Sequence, residues 1–451
     1  MNHTCDKIAW QSVVPEHWQV LKLRQILSPV SEKNHPDLPL LSVVREKGVI
    51  VRNIEDKEEN HNYVPDDLSG YKLVKIGQFA MNKMKAWQGS YGVSRFDGIV
   101  SPAYFVFDIQ CDINKDFFNR AIRSVVYVNY FGQASDGIRV GQWDLSIQRM
   151  KEIPFLLPPR PEQKQIVRFL DWKVSVINRL ISIKRKQIAL LHERQCVHIS
   201  HIVTHGLHGH VATKNSGVEW IGDIPKHWQA MRCKYLFSER DERSQEGTEQ
   251  HLSMSQKYGL VPDSQLDERR MLSESYAGGK LCYKDDLVLN RLKAHLGVFA
   301  LSPQSGVISS DYTVLIPNTE RVLPTFAETV LKSDRCRGEL RIRVRGIIEG
   351  FWRLYTDDFN TIVLPVPPIE EQAEIMEYII EFRGKTKKYE DSLTQEISTL
   401  QEFKARLISD VVTGKIDIRD IEIPECEFVE ETVDTVNDES MDGMGGETYE
   451  E

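Results

Sequence analysis

The sequence predicts an α+β protein of two pseudo-twofold-related halves. Each half is a mixed α/β domain followed by a long helix, and the two helices pack on each other as an antiparallel coiled coil. Three observations carry this expectation. Nearly the whole of the 451-residue chain is duplicated in order. The first part of each half consists of short β-type runs between turn residues. Each half then ends on an apolar stripe whose steps alternate between three and four residues.

The duplication is read from matched segments. "VPEHWQ" at 14–19 matches "IPKHWQ" at 224–229, and Trp10 upstream matches Trp220. "LLSVVREKGVI" from Leu40 matches "HLSMSQKYGLV" from His251, and "MNKMKAWQG" from Met81 matches "LNRLKAHLG" from Leu289. "GIVSPAY" ending at Tyr104 matches "GVISSDY" ending at Tyr312, and Gly141-Gln142-Trp143 matches Gly350-Phe351-Trp352. "LPPRPEQ" at 157–163 matches "VPPIEEQ" at 366–372, and "ISHIVTHG" at 199–206 matches "ISDVVTGK" at 408–415. The offset stays between 208 and 211 residues, so one unit was copied once; a period this long means two similar halves and not a solenoid.

Within each half the elements follow in order. "GVIVRNI", "GIVSPAYFVFDI", "LCYKDDLVLNRL" and "GVISSDYTVLI" are β-branched and aromatic runs punctuated by Gly, Asn, Asp and Pro, the pattern of strands joined by turns. Pro158-Pro159 and Pro367-Pro368 then mark helix starts, because proline fits the first turn and disfavours helix before it. Glu162 and Glu371 sit in that first turn, where the helix dipole favours negative charge. The first stripe runs through Ile166, Leu170, Val174, Ile177, Ile181, Ile188, Leu191, Ile199 and Ile202. The second runs through Ile379, Phe382, Tyr389, Leu393, Leu400, Phe403 and Leu407, with Ile397 beside it. Steps of three and four make a narrow seam. The helices are longer than packing on one domain requires, so the two seams are expected to face each other.

Composition bounds the function. The length allows two to four domains, and no apolar run is long enough for a membrane span. The start "MNHTCDKIAWQ" lacks the apolar core of a secretory signal, so the cytoplasm is the expected compartment. Seven cysteines without a CxxC fit reduced structural thiols. The net charge of −9 belongs to the tail: Asp420 to Glu451 holds 13 acidic residues and no Lys or Arg. The remaining body has 57 basic against 53 acidic residues, so an anionic partner stays open.

Catalytic patterns are weak. Gly384-Lys385-Thr386 has the ending of a phosphate-binding loop, but Ile379 stands where its first glycine belongs. The Pro-Pro pairs lack the flanking residues of an amino-methyltransferase signature. Pro36-Asp37 with Glu55-x-Lys57 has nuclease-like spacing, yet the second half has no counterpart. His198, His201, His205, His208 and His210 near Cys196 suggest zinc. In the second half Leu407, Asp410, Gly414 and Asp417 face the first four, so a polar helix end and linker is the expectation. What remains is a binding set. The first half offers Lys83, Lys85, Trp87, Arg139, Gln142 and Trp143. The second offers Arg291, Lys293 and His295, then Arg335, Arg337, Arg341, Arg343 and Arg345 around "GELRIRVRG". Forked arginine donors suit phosphates and guanine edges. Each of these charges alone is equally a solvated surface group, and a two-domain protein-binding scaffold is the competing class.

"PxHWQ" opening each globular part, "PPxxEQ" opening each long helix and the "ISxxVTxG"-like helix end together resemble the specificity (S) subunit of type I restriction-modification enzymes, over residues 1 to about 418. The resemblance implies a first target recognition domain at 1–157, a central spacer helix at 158–206, a second target recognition domain at 207–365 and a C-terminal spacer helix at 366–415. Residues 416–451 are then an acidic, disordered tail. It implies a non-catalytic chain that binds no cofactor or metal itself and reads a bipartite, asymmetric double-stranded DNA target. Two modification subunits would use S-adenosylmethionine to methylate adenine, and two restriction subunits would use ATP and Mg. A pseudo-twofold frame with dissimilar heads would suit such a target, its heads about one helical turn (~34 Å) apart on the duplex.

Overall fold

The computed structural model describes residues 14–52, 67–110, 112–137, 143–209, 211–255, 258–265, 276–346, 352–425 and 427–429. The chain divides into two compact units, Met1–Arg185 with Thr394–Glu451, and Lys186–Leu393. Each unit thus takes one globular domain, the beginning of one long helix and the end of the other.

The duplicated segments fold into matching elements. In unit 1 a four-stranded antiparallel sheet has the spatial order Leu27–Val30, Tyr104–Ile109, Phe79–Asn82, Tyr91–Val93. In unit 2 the order is Phe237–Arg240, Tyr312–Pro317, Leu287–Asn290, Phe299–Leu301. The hairpin Leu41–Val44/Gly48–Val51 corresponds to Leu252–Ser255/Gly259–Pro262. The ribbon Lys72–Val74/Gly98–Val100 corresponds to Lys280–Cys282/Gly306–Ile308. The strand after each "HW" pairs with the strand before each Pro-Pro: Gln19–Lys22 with Pro154–Leu157, and Gln229–Arg232 with Val363–Val366. That pairing brings the start of each domain back to the start of its helix. Two apolar clusters in each unit hold the buried faces of the sheets. One cluster in unit 1 joins Phe79, Phe107, Phe118 and Phe155 to the helices, and a smaller one of Leu41, Val43, Val49, Val74 and Val106 lies beneath the hairpin. Unit 2 repeats this with Phe237, Phe299, Phe326 and Phe359, and with Leu252, Leu260, Val288 and Ile308.

The long helices are Arg160–His205, of 46 residues, and Ile369–Val412, of 44. They are roughly 65–70 Å long at ~1.5 Å per residue. In each unit the two helical segments run antiparallel. In unit 1, Asn178 meets Lys404 and Lys184 meets Glu396. In unit 2, His192 meets Glu390 and His198 meets Tyr378. The seam departs from the apolar stripe in the second helix. Tyr389 and Phe403 are 52% and 54% exposed, whereas Thr386 is buried and Lys404 donates to Asn178. Burial passes from Phe382 through Thr386, Glu390, Leu393, Ile397, Leu400 and Lys404 to Leu407. The two consecutive steps of four from Phe382 to Glu390 break the strict alternation and shift the seam off Tyr389 and Phe403.

A second correction concerns the tail. Its first part, as far as Val429, packs on the first long helix instead of being disordered. Gln165 Nε2 donates to the carbonyls of Ile418 and Arg419 at 2.8 and 2.9 Å. Val429 donates its N–H to Ser175 Oγ at 2.9 Å and accepts from Asn178 Nδ2 at 2.8 Å. Ser175 and Asn178 are buried helix residues whose polar groups need these partners. Cys426 and the tail from Glu430 onward lie outside the described residues. Among the described residues no helix is long and apolar enough to cross a membrane.

Candidate nucleic-acid interface

The repeated motifs meet at the base of each domain. In unit 1, Glu162 accepts from Trp18 Nε1 at 3.0 Å and bonds His17 Nε2 at 2.8 Å. In unit 2, Glu371 accepts from Trp228 Nε1 at 3.0 Å and bonds His227 Nε2 at 2.7 Å. The following glutamine ties the helix start to the domain. Gln163 accepts from the Asn114 N–H and donates to the Pro158 carbonyl, both at 2.8 Å. Gln372 accepts from the Leu323 N–H at 2.7 Å and donates to the carbonyls of Pro367 and Arg321 at 2.8 and 2.9 Å. The helix that ends in the same unit contributes a left-handed glycine against the tryptophan. Gly414 (φ 74°) lies by Pro15 and Trp18, and Gly206 (φ 80°) by Trp228 and Glu371. "PxHW", "PPxxEQ" and the helix-end glycine are therefore one device, which fixes each domain to the helix pair. None of these residues is free to act as a binding tip.

The candidate binding residues lie elsewhere in each domain, around a turn that follows a central sheet strand. In unit 1, strand Phe79–Asn82 runs into a 3-10 turn, Lys83–Gln88, whose start is capped by Asn82 Oδ1 accepting from the Met84 N–H at 3.1 Å. In unit 2, Asn290 does the same for the N–H groups of Leu292 and Lys293, and a 3-10 turn follows at Ala294–Leu296. The structure brings Trp87 and Trp143 together, with ring centroids 5.0 Å apart, and pairs Lys83 with Asp144. Lys85 is exposed beside them. Arg139 and Gln142 lie outside the described residues. In unit 2 the matching ring pair is His295 and Trp352, edge to face at 5.6 Å. Arg291 Nε donates to the Asp311 carbonyl at 2.7 Å, and its own carbonyl accepts from the Leu354 N–H at 3.0 Å, which seats Trp352 beside the turn. Trp352 was absent from the sequence-derived set. The match of "GQW" to "GFW" was the signal that pointed to it.

The arginine cluster divides in two. Arg335, Arg337, Arg341 and Arg343 fall on the helix Asp334–Arg343, which packs on the 3-10 turn, and Arg345 follows it. Arg337 pairs with Asp334, Arg343 with Glu339 and Arg345 with Asp358. Arg335 and Arg341 are exposed and pair with no carboxylate among the described residues. Burial, then the nearby charge of Arg341, hold the His295 imidazole below its ordinary value. The matching helix of unit 1, Val125–Gln133, has no basic residue. The same frame thus carries two tips of different chemistry, one with paired indoles and lysines, the other with an imidazole, an indole and arginines.

The other sequence candidates are placed as follows. Asp37 lies in unit 1, while Glu55 and Lys57 lie outside the described residues. His198, His201 and His205 occupy the last turns of the first long helix. There His201 and His205 stack at 4.4 Å and His198 bonds Tyr378, and His210 is outside the described residues. No group of three or more His, Cys, Asp or Glu among the described residues is placed to hold a metal ion. Cys233, Cys282 and Cys336 are buried thiols, and burial pushes all three above the usual thiol range.

Comparison with known proteins follows this geometry. No protein-family model matches the chain. It is 22% identical over 442 residues to the putative type I restriction enzyme MjaX specificity subunit of Methanocaldococcus jannaschii, covering 90% of this chain and 95% of the relative. It is 21% identical over 440 residues to the type I restriction enzyme MjaVIII specificity subunit of the same organism, with the same coverage of 90% and 95%. A solved chain from a structure of complex assembly and conformational transition in the type I R-M system shares its fold. The TM-score is 0.60 at 12% identity, over 89% of this chain and 99% of that one. Over 90% of its length, then, the chain is similar to type I restriction enzyme specificity subunits, and its duplicated domain-and-helix plan shares the fold of a solved type I R-M chain.

Proposed function

We propose that the chain is the DNA-reading subunit of a type I restriction-modification complex, with one domain for each part of an interrupted, asymmetric duplex target. The observation that carries this reading is the pair of unlike tips on like frames: Trp87, Trp143, Lys83 and Lys85 in unit 1, and His295, Trp352, Arg291 and Arg341 in unit 2. A frame repeated for architecture alone has no need of divergent aromatic and basic tips. A reader of two different half-sites does. Aromatic faces and forked donors supply contacts to bases, and the lysines supply contacts to phosphates.

On this reading the chain carries out no covalent step. Adenine methylation with S-adenosylmethionine and ATP-driven, Mg-dependent cleavage belong to two modification and two restriction subunits, and the complex works in the cytoplasm. The exposed apolar residues of the helices, among them Leu190, Val197, Ile380 and Phe403, give those subunits a surface to hold. The test is a titration of the full chain with duplex DNA at rising salt, with and without a modification subunit. The logarithm of affinity is expected to fall linearly with the logarithm of salt, as counterions are released from several neutralised phosphates. Binding that ignores salt, in a chain that captures no modification subunit, would overturn the reading in favour of a protein scaffold.

A further inference from the structure

A place that one unit fills and the other leaves open is informative, because the rest of the frame is shared. In unit 1 the hairpin strand begins at Gly48 (φ 73°), and the Arg123 guanidinium lies over it, so close that a Cβ would stand 2.3 Å from Nη1. Arg123 Nη2 donates to the carbonyls of Arg45 and Glu46 at 2.9 and 2.6 Å. Next to it Val128 lies against Gly89, 3.3 Å from where its Cβ would be.

Unit 2 keeps the glycines and changes the side chains. Gly259 (φ 72°) replaces Gly48, Lys332 replaces Arg123 and Arg337 replaces Val128. Lys332 Nζ turns to Glu328 at 2.8 Å, so among the described residues no side chain of the Arg123 kind covers Gly259. A cleft of about 270 Å³ remains, bordered by Ser255, Gly259, Gly297, Phe299, Lys332 and Arg337. Arg337 pairs with Asp334 through Nη2. Its Nε is buried and has no acceptor among the described residues. A buried donor left without an acceptor costs about 1–3 kcal/mol, which an acceptor reaching it would offset.

We propose that this cleft is a phosphoryl-binding subsite of unit 2, with Arg337 as the forked donor, Lys332 as the point charge, and the glycines keeping the floor open to a tetrahedral anion. Glu328 and Asp334 already balance the two cations, so a free phosphate binds weakly. A phosphate carried by a polymer that is held elsewhere arrives at high effective concentration. The DNA source rests on the function proposed above, and the phosphoryl chemistry of the cleft does not.

The experiment uses the full chain and two substitutions that install what unit 1 already tolerates, Arg337→Val and Lys332→Arg. One arm follows thermal unfolding in inorganic phosphate against chloride at matched ionic strength. The other follows the salt dependence of duplex binding for unrelated sequences. The wild-type chain is expected to be stabilised by phosphate, and both substitutions to abolish that shift. Arg337→Val is expected to weaken DNA binding about three- to tenfold regardless of sequence and to lower the salt slope by about one. A response in the DNA arm alone identifies a backbone phosphate as the ligand, and a response in the phosphate arm alone identifies a free phosphoryl compound. If the wild-type chain shows no salt-dependent DNA binding, the function proposed above fails while the phosphate arm still decides the subsite. Substituted and wild-type chains that behave alike in both arms overturn the proposal.

Discussion

Single residues show how a repeated motif can look like chemistry and serve architecture. His17 and Trp18 converge on Glu162, which is 9% exposed, and the arrangement recurs at Glu371. Removing the carboxylate leaves a buried indole N–H without its charged acceptor. Glu162→Ala is therefore expected to cost about 2–3 kcal/mol, with Glu162→Gln costing less because an amide oxygen still accepts. The urea midpoint of unfolding measures this, and a change below ~0.5 kcal/mol would show that the clamp carries no weight. At the unit 2 tip the sign of a pH effect can be worked out for His295. Its folded value lies below the ordinary 6.5 because of burial and then Arg341. The unfolded chain therefore binds the proton more readily, and stability is lost as pH falls through 6.5. His295→Asn is expected to flatten that part of the stability profile, and an unchanged profile would remove His295 as its source. At this scale the sequence was only partly legible. "HW" and "EQ" were visible as marks of the repeat, but their meeting depends on contacts across about 145 residues, which spacing cannot express. The pairs Asp334–Arg337 and Glu339–Arg343 were legible in principle as helical i,i+3 and i,i+4 neighbours. They went unread because "GELRIRVRG" alternates like a strand as readily as it turns like a helix.

Elements were the most legible level, because periodicity and breakers act locally. Pro-Pro starts, seam spacing and helix-end glycines placed both long helices, and matched β-runs fell on matched strands. Where the reading slipped, at Tyr389 and Phe403, large apolar side chains lie one step off a seam held by Thr386 and Lys404. Gly384 makes the helical element testable. It lies inside the second long helix, and a Cβ there would meet nothing within 4 Å. Gly384→Ala is expected to stabilise the chain by about 0.5–1 kcal/mol, by lowering the backbone entropy of the unfolded state. A lower melting temperature would mean that the helix needs its glycine. The ordered strap makes the opposite prediction. Asn178 joins Lys404 on one side to the Val429 carbonyl on the other. Asn178→Ala leaves both without it and is expected to cost about 1–3 kcal/mol. It should also open the segment that follows the second long helix to limited proteolysis, and protection equal to wild type would show that the strap is held by the apolar packing of Ile418, Ile421 and Ile423 alone.

At the scale of the whole molecule the proposed function raises the question whether the two domains would read independently. Each unit has its own sheet, its own two apolar clusters and its own clamp at the helix base, so nothing in the architecture of one tip requires the chemistry of the other. Arg341 is the sharpest probe of this. It is exposed, has no carboxylate partner among the described residues, sits near His295, and has no basic counterpart on the matching helix of unit 1. If the proposed function holds, Arg341→Ala should relax discrimination within one half of the split target, by about 1–3 kcal/mol for a lost bidentate base contact. Discrimination in the other half should stay within about twofold of wild type, since well-separated contacts add. Mapping methylated adenines in a host carrying the substituted chain reads both halves at once. A loss confined to one half assigns that half to unit 2. An equal weakening on all sequences would make Arg341 a phosphate contact, and a loss spread over both halves would mean that the two heads are coupled through the helices that join them.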